Sequence, residues 1–193
     1  MHLESQLRRA FHLSAPEIPE EGWASFAERA VVQVYEKNQI LKKEGAPERF
    51  LHFILEGSAG VFLETAHQDI CIDLCFEGEF LVDYLSLLTR QPTQLYTKSL
   101  EPLRVATLSR DHLMELYTTP LGEKIRVIVA ESLFIHKQQQ QVELLSLTAE
   151  QRYRKMLDEH PEWVSRTAQI HLASLLGVTP ESLSRIRKKV SGN

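Results

Sequence analysis

A stretch near the C-terminus, residues 170–189, carries signals that divide it into two short helices. Its first half places apolar residues on one helical face and ends at Gly177, a residue type that readily adopts the left-handed conformation that ends helices. Thr179 has a side chain that can cap a following helix, and Pro180 suits the first position of that helix. Leu183 begins the apolar stripe of this second helix. The pattern predicts a helix-turn-helix.

The opposite face of the predicted second helix is polar and basic. It carries Glu181, Ser182, Ser184, Arg185, Lys188 and Lys189. A helix with such a face can enter the major groove of DNA, where Arg185 can donate two hydrogen bonds to the edge of a guanine. An ordinary helical hairpin with a solvated basic end would show the same spacing, so the alternative of no DNA binding stays open on this stretch alone.

Charge is distributed unevenly along the chain. Residues 147–193 contain 8 Lys and Arg against 5 Asp and Glu, a net charge of +3, whereas the 146 residues before them contain 14 and 21, a net charge of −7. An acidic body would repel phosphate, and a basic C-terminal end would attract it. The distribution therefore favours double-stranded DNA as a partner of the C-terminal end.

The composition is that of a soluble globular protein, with 43% hydrophobic and 25% charged residues. Residues 1–11 lack the apolar core of a secretory signal, and no apolar stretch approaches the roughly 20 residues that span a bilayer. We therefore expect a cytoplasmic protein without a membrane partner. Strand spacing would put Cys71 and Cys75 on one face with their Cα atoms roughly 13 Å apart, too far for a disulfide. With no Cys or His ligands nearby, they predict buried structural thiols and no metal site.

Helices are predicted at the start of the chain and strands in its middle. The helical segments are 3–11 and 20–29, and the strand-like runs between residues 30 and 108 are 31–35, 50–55, 60–63, 70–76, 95–99 and 103–108. Many short strands with regular turns suggest a closed or two-sheet antiparallel structure. Ser109 can cap a short helix over 111–117.

A long helix is predicted from Pro120 to about Ser146. Its best apolar stripe alternates steps of four and three, as in a coiled coil: Leu121, Ile125, Ile128, Ser132, Ile135, Gln139 and Val142. We expect this seam to form a parallel homodimer, while Val127 and Phe134, off the seam, pack on the β domain of their own chain. A helix that only covers its own β domain is the alternative. The glutamines at 138–141 fit either a seam poised between two packings or a solvated run.

The C-terminal unit begins with a second capping signal. Thr148 and Gln151 have the spacing of a capping box, which predicts a helix over 148–159. Residues 160–162 should end it, and Thr167 can cap the first helix of the helix-turn-helix. The predicted division is 1–119 for a sensor domain, 120–146 for a dimerisation helix and 147–193 for a DNA-binding domain.

This organisation resembles the CRP/FNR family of bacterial transcription regulators. The run 40–57 looks like the opening strands of the family's cyclic-nucleotide-binding β-roll, 78–85 like its phosphate-binding cassette, and 179–189 like its recognition helix, in which Glu181 and Arg185 match the positions that usually touch bases. Residues 152–157 and 187–189 look most like a branch common in Bacteroidetes. The resemblance implies an α+β chain: an antiparallel β-roll with flanking helices, a long dimerisation helix and an all-α helix-turn-helix. It also implies RNA polymerase as a prospective partner.

The cassette departs from the cAMP-binding pattern. Family members that bind cAMP carry Gly-Glu and, ten residues later, Arg-Ser; the corresponding pairs here are Val82-Asp83 and Thr93-Gln94. A phosphate without its guanidinium loses a charge-assisted pair worth on the order of 1.5–3 kcal/mol. Arg90 and Lys98 are the nearby alternative cations. We expect neither cAMP nor cGMP as effector, and no required cofactor. The candidate effector contacts are Gly78, Glu79, Phe80, Asp83, Thr93, Gln94, Gln138 and Gln139.

Family members continue past the recognition helix into a two-stranded wing, and this chain has four residues after Lys189. We expect the wing to be absent or truncated, so that phosphate contacts come from both helix ends: Arg166, Thr167, Gln169, Arg187, Lys188 and Lys189. An enzyme is not expected, because the eight histidines are scattered and the sequence has no nucleophile-elbow, Walker or zinc-protease motif. A sensor or protein-interaction module that no longer binds operators is the main alternative.

Overall fold

Two four-stranded antiparallel sheets form the N-terminal part of the protein, in a computed structural model that describes residues 3–6, 20–66 and 69–192. The strand order of the first sheet is β1 (Val31–Tyr35), β8 (Leu103–Ser109), β3 (Phe50–Glu56) and β6 (Phe80–Leu81). The order of the second is β2 (Ile40–Lys42), β7 (Leu95–Ser99), β4 (Ala59–Leu63) and β5 (Ile70–Cys75). The predicted α+β chain with an antiparallel β-roll is confirmed.

From residue 20 onward, the described residues form eight helices: α1 (Glu20–Arg29), α2 (Tyr84–Thr89), α3 (Arg110–Leu116), α4 (Pro120–Ser146), α5 (Ala149–Glu159), α6 (Pro161–Arg166), α7 (Gln169–Leu175) and α8 (Pro180–Ser191). Ser109 caps α3, and Thr148 forms the expected capping box with Gln151 at the start of α5. Thr167 does not cap α7, because Ala168 takes that position without a side-chain bond. The sequence did not predict α6. Residues 7–11 of the predicted first helix lie outside the described residues.

Three apolar clusters hold these elements in layers. One lies between the two sheets and includes Ile54, Leu81 and Val105. A second joins β3 and β8 to α1, α3 and the first turns of α4. The third joins one face of β4, β5 and β7 to the C-terminal helices and runs from Phe62 and Tyr96 to Leu172 and Leu183 without a break. The C-terminal unit therefore packs directly on the β-roll of its own chain.

Cys71 and Cys75 are both buried and form no disulfide, as predicted, but their side chains do not lie on the same face of β5. Cys71 belongs to the cluster under the C-terminal helices, whereas Cys75 lies between the sheets. The cause is a bulge in β5: Val61 pairs with Asp73 and the next residue, Phe62, pairs with Cys71. The extra residue reverses the alternation of side chains.

The long helix α4 has the predicted bounds, but its faces are not as assigned. Ile125 and Ile128, expected in the dimer seam, pack against the β-roll cluster of their own chain. Val127 and Phe134, expected to pack there, are 46% and 66% exposed. The assignment of these two residues to intrachain packing is wrong, because the β-roll lies on the opposite side of the first turns of α4.

Candidate nucleic-acid interface and effector pocket

The turn between α7 and α8 has the geometry that its sequence predicts. Gly177 has φ +66°, and its N–H donates to Ser174 O at 2.9 Å. Thr179 Oγ1 accepts the Ser182 N–H at 3.2 Å, and Pro180 is the first residue of α8. A threonine cap of this kind contributes typically ~1 kcal/mol. Local hydrogen bonds thus define the turn between the two helices.

One face of α8 is buried and the other meets solvent. Leu183 is fully buried, and Ile186 and Val190 pack beside it against the C-terminal cluster. Glu181, Arg185, Arg187, Lys188 and Lys189 are exposed, while Ser182 and Ser184 are half-buried at the margin. The exposed face is the one predicted to enter DNA.

Glu181 and Arg185 lie at the outer edge of this face. Arg185 Nη2 donates to Ser182 Oγ at 3.2 Å, so the guanidinium folds back over the first turn of α8. Hydrogen bonds from its own backbone N–H and from Thr179 hold the pKa of the Glu181 carboxyl below its usual value. Both side chains are exposed and accessible to a base edge.

Four of the other expected DNA contacts are bonded or buried within the protein. Lys189 Nζ lies 2.6 Å from Glu150 Oε2, and Gln169 Nε2 donates to Pro180 O at 3.0 Å. Thr167 is buried. Arg166 forms ion pairs with Glu77 and Glu101 of the β-roll. Among the described residues, Arg185, Arg187 and Lys188 are therefore the expected contacts that stay both cationic and outside an ion pair.

Arg152, which sequence reasoning missed, joins the helix-turn-helix to α4. Its Nη2 donates to Leu176 O at 2.6 Å, at the end of α7, and its Nη1 donates to Leu147 O, at the end of α4. Leu144 of α4 also reaches the turn, since a Cβ added at Gly177 would lie 3.2 Å from Leu144 Cδ1. Arg152 and Leu144 therefore connect the C-terminal end of α4 to the turn between α7 and α8. The sequence carries no signal for these two hydrogen bonds, because their acceptors are main-chain oxygens, which every residue has.

The cassette contains a buried ion pair that the sequence did not predict. Asp83 caps α2 by accepting the Ser86 N–H, and its other carboxylate oxygen lies 2.9 Å from Lys42 Nζ. Lys42 Nζ also donates to Thr93 Oγ1 at 2.9 Å and to Leu95 O at 2.7 Å, and Thr93 donates to Asp83. The cation near position 93 is thus Lys42.

Neither alternative cation is bonded to this cluster among the described residues, where Asp83 and Thr93 bond to Lys42 and to each other. The Lys98 ammonium lies 4.8 Å from the centroid of the Phe62 ring, and Arg90 is the left-handed residue that ends α2. Of the expected effector contacts, Thr93 and Gln94 line an open groove of about 790 Å³, together with Glu44, Gly45, Glu64, Thr65, Ala66 and Pro92. Of the described residues in its lining, the ionisable ones, Glu44 and Glu64, are both acidic.

The other expected effector contacts lie elsewhere. Gly78 forms a turn with φ +91°, Glu79 accepts the Phe76 N–H at 2.8 Å, and the Phe80 ring packs 5.5 Å from the Phe53 ring. Gln138 and Gln139 are exposed on α4. They do not line the groove.

The predicted dimer seam is exposed in its C-terminal half. Ile135 and Val142 are 55% and 57% exposed, and Ser132 and Gln139 are exposed beside them, whereas Leu121 is half-buried. Phe134 and Leu145, 66% and 79% exposed, extend the same apolar surface. This surface, formed by Phe134, Ile135, Val142 and Leu145, is called the α4 apolar face below.

Among residues 3–6, 20–66 and 69–192, none of the helices combines the length and the hydropathy that a bilayer crossing requires. The same residues contain no cluster of three or more His, Cys, Asp or Glu suited to a metal ion.

Residues 32–119 match the family model of the cyclic nucleotide-binding domain. No curated protein matches the chain. Solved structures with the same fold include the c-di-GMP responsive global regulator CLP of Xanthomonas campestris (TM-score 0.70, 19% identity, 90% of this chain and 92% of that one). FixK2 of Bradyrhizobium japonicum gives a TM-score of 0.72 at 17% identity, over 84% and 85% of the two chains. The catabolite activator protein of Thermus thermophilus gives 0.56 at 19% identity, over 95% and 86%. These structural neighbours are CRP/FNR-family transcription regulators.

Proposed function

We propose, from a cyclic nucleotide-binding domain joined to a helix-turn-helix in the fold of CRP/FNR-family regulators, that this protein is a homodimeric, sequence-specific DNA-binding transcription regulator. The observation that carries the proposal is the geometry of α8. Its apolar side is buried, its first turn is capped, and its opposite side presents Glu181 and Arg185 to solvent. A helix presented in this way is suited to the major groove.

Each exposed side chain of α8 has a distinct role in this proposal. Arg185 reads a guanine through two hydrogen bonds, and Glu181 can accept a bond from a cytosine amino group. Arg187 and Lys188 neutralise phosphates, which positions the helix but carries no sequence information. Lys189 contributes less, because its ammonium is already paired with Glu150.

Dimerisation supplies the second recognition helix, which is needed to bind the second half-site of the DNA. The α4 apolar face exposes four large side chains on a helix of 27 residues, and a second copy of the same helix is the occupant that covers it symmetrically. Two recognition helices on one dimer bind half-sites about one helical turn of DNA apart. A monomer with three free cations on its recognition helix would bind weakly, so operator binding depends on the dimer. A dimer bound at a promoter in the cytoplasm would also meet RNA polymerase.

Neither cAMP nor cGMP is the effector of this protein in this proposal. A cyclic phosphate entering the cassette would bring negative charge next to Asp83, and the cation that the described residues place there, Lys42, is already bound to that carboxylate. Both side chains are almost completely buried, at 4% and 0% exposure, so separating them costs several kcal/mol. The neighbouring groove, with Glu44 and Glu64 in its lining, also repels anions.

Selection of bound sites from a random DNA pool tests the proposal. A two-fold symmetric consensus with half-sites about one turn apart is expected. Absence of binding to any duplex at low salt, where phosphate contacts are strongest, would contradict it. That outcome would favour a ligand sensor or a protein-interaction module without operator binding.

A further inference from the structure

One arginine connects the C-terminal unit to two turns of the β-roll. Arg166, the last residue of α6, lies with its Nη1 2.7 Å from Glu77 Oε2 and its Nη2 2.8 Å from Glu77 Oε1. Its Nη2 also donates to Glu101 Oε2 at 2.6 Å, and its Nε to Glu101 Oε1 at 3.3 Å. The guanidinium therefore bonds both oxygens of two carboxylates, a paired geometry that only arginine provides.

The two carboxylates are themselves fixed to a third turn. Glu77 Oε1 accepts the Gly57 N–H at 2.9 Å, and Glu101 Oε2 accepts the Ser58 hydroxyl at 2.7 Å. Gly57 has φ +88°, and a Cβ there would lie 2.2 Å from Pro102 O, so this turn fits closely against the next. Arg166 is thus held by a preformed site built from the turns β3–β4, β5–β6 and β7–β8.

Aromatic and polar contacts continue this connection. The guanidinium lies 5.0 Å from the centroid of the Phe76 ring, and Phe76 is stacked on Trp163 of α6 at 6.1 Å. Further along the interface, the Cys71 N–H donates to Ser174 Oγ of α7 at 2.7 Å. The helix-turn-helix is therefore positioned by the β-roll as well as by α4.

We propose that Arg166 is a positioning residue, which sets the orientation of α8 by binding Glu77 and Glu101, and that it makes no DNA phosphate contact. The proposal rests on the DNA-binding function proposed above. A phosphate that took Arg166 would have to displace two carboxylates and would then lie beside both of them. The Arg166 guanidinium holds the pKa of each carboxyl below its usual value, and a glutamate of ordinary pKa is also charged at neutral pH, so both carboxylates would repel that phosphate with or without their bonds to Arg166.

Alkylation of the two cysteines can report, without DNA, whether the C-terminal unit stays packed on the β-roll. Cys71 lies under the C-terminal helices and Cys75 between the sheets, and both are buried. Separation of the C-terminal unit exposes Cys71 alone, whereas unfolding of the β-roll exposes both. Alkylation of the full-length protein, followed by mass spectrometry of the two peptides, distinguishes these events.

In Arg166→Gln and in the double variant Glu77→Gln with Glu101→Gln, the rate of Cys71 alkylation should rise about five- to tenfold while that of Cys75 stays constant. The rate of Cys71 alkylation in Arg166→Lys should lie between those of wild type and Arg166→Gln, because lysine keeps the charge but not the paired geometry. Arg104→Gln is the matched control: Arg104 has the same 32% side-chain exposure and pairs with Glu56 within the β-roll. Unchanged Cys71 labelling in Arg166→Gln, or an equal rise at both cysteines, would overturn the proposal.

DNA binding distinguishes positioning from phosphate contact. If Arg166 positions α8, the Arg166→Gln and double-glutamine variants should both bind the selected site about three- to tenfold more weakly, with the wild-type dependence on salt. If Arg166 contacts a phosphate, Arg166→Gln alone should weaken binding and lower the slope of log K against log salt by about 1.8, that is about 0.9 for each protomer of the dimer, while the double variant binds as well as wild type or better. The latter pattern would refute the proposal. Failure of the wild type to bind any DNA would refute the proposed function instead, and the cysteine labelling would still decide whether Arg166 positions the C-terminal unit.

Discussion

Lys42 and Asp83 form an ion pair of 2.9 Å within residues 32–119, the range that matches the cyclic nucleotide-binding domain model, with side-chain exposures of 4% and 0%. The pair occupies the region where the sequence resemblance places the ligand phosphate and its arginine. The cassette is therefore ordered by the protein itself, through Asp83 at the start of α2 and Lys42 on β2.

Removal of one partner of this pair should destabilise the protein strongly. Lys42→Met leaves the Asp83 carboxylate buried without its cation, and we expect the free energy of unfolding to fall by about 3–5 kcal/mol. The double variant Lys42→Met with Asp83→Asn should recover much of that loss, because no charge then remains buried. Urea unfolding measures both. A single variant within 0.5 kcal/mol of wild type, which is the range of ordinary surface changes, would show that the pair is solvated.

Cyclic nucleotides should not stabilise the protein. Millimolar cAMP or cGMP is expected to leave the melting temperature unchanged, because a ligand raises Tm only when it binds the folded state at the concentration used. Differential scanning fluorimetry measures the shift. An increase of several degrees would mean that Lys42 can exchange Asp83 for a phosphate.

Acid should destabilise the β-roll through His52. Burial lowers the pKa of His52 from 6.5 to about 4, and its Nδ1 lies 2.8 Å from Thr107 Oγ1. At pH values between 4 and 6.5, the unfolded chain binds a proton at His52 that the native protein does not bind. The contribution of neutral His52 to the free energy of unfolding is therefore fully present above pH 6.5 and is lost as pH falls toward 4, by about 3 kcal/mol in total.

The comparison that isolates this contribution is the difference in unfolding free energy between wild type and His52→Gln, measured from pH 7 to pH 4. The difference should shift in favour of the variant as pH falls. Parallel curves would contradict a neutral, buried His52.

Charge on the α4 apolar face should prevent dimerisation. Ile135→Asp and Val142→Asp place carboxylates on a surface that we expect a second copy to cover, and each should raise the dimer dissociation constant at least about a hundredfold. Val34→Asp is the matched control, since Val34 is also exposed, at 71%, but lies on β1. Analytical ultracentrifugation gives the constants. A wild-type monomer at tens of micromolar, or equal effects of all three changes, would argue for another interface.

Local signals in the sequence predicted local structure well. The turn at Gly177, the cap at Thr179 and the capping box at Thr148 depend on residues within four positions of one another, and all three form as expected. The bounds of α4 followed from the absence of helix breakers and its heptad spacing. The exposed side of α8 could be predicted for the same reason, because helical periodicity fixes it.

Partners distant in sequence could not be predicted in this way. Lys42 meets Asp83 across 41 positions, and Arg166 meets Glu77 across 89. Neither pairing produces a periodic pattern in the sequence. The bulge in β5 reversed the faces of Cys71 and Cys75, since alternation holds only while strands stay in register. The exposure of Val127 depends on which side of α4 meets the β-roll, and the heptad pattern alone does not specify that side.

The most direct test of the central claim is the affinity of wild type, Arg185→Ala and Lys188→Ala for the selected symmetric site and for each single-base change in it. If α8 reads DNA as one half of a symmetric dimer, Arg185→Ala should lose about 1–3 kcal/mol of discrimination at one base step in each half-site. Lys188→Ala should weaken every sequence alike and lower the salt slope. Equal effects of Arg185→Ala on the selected and scrambled sites would contradict base reading by this helix.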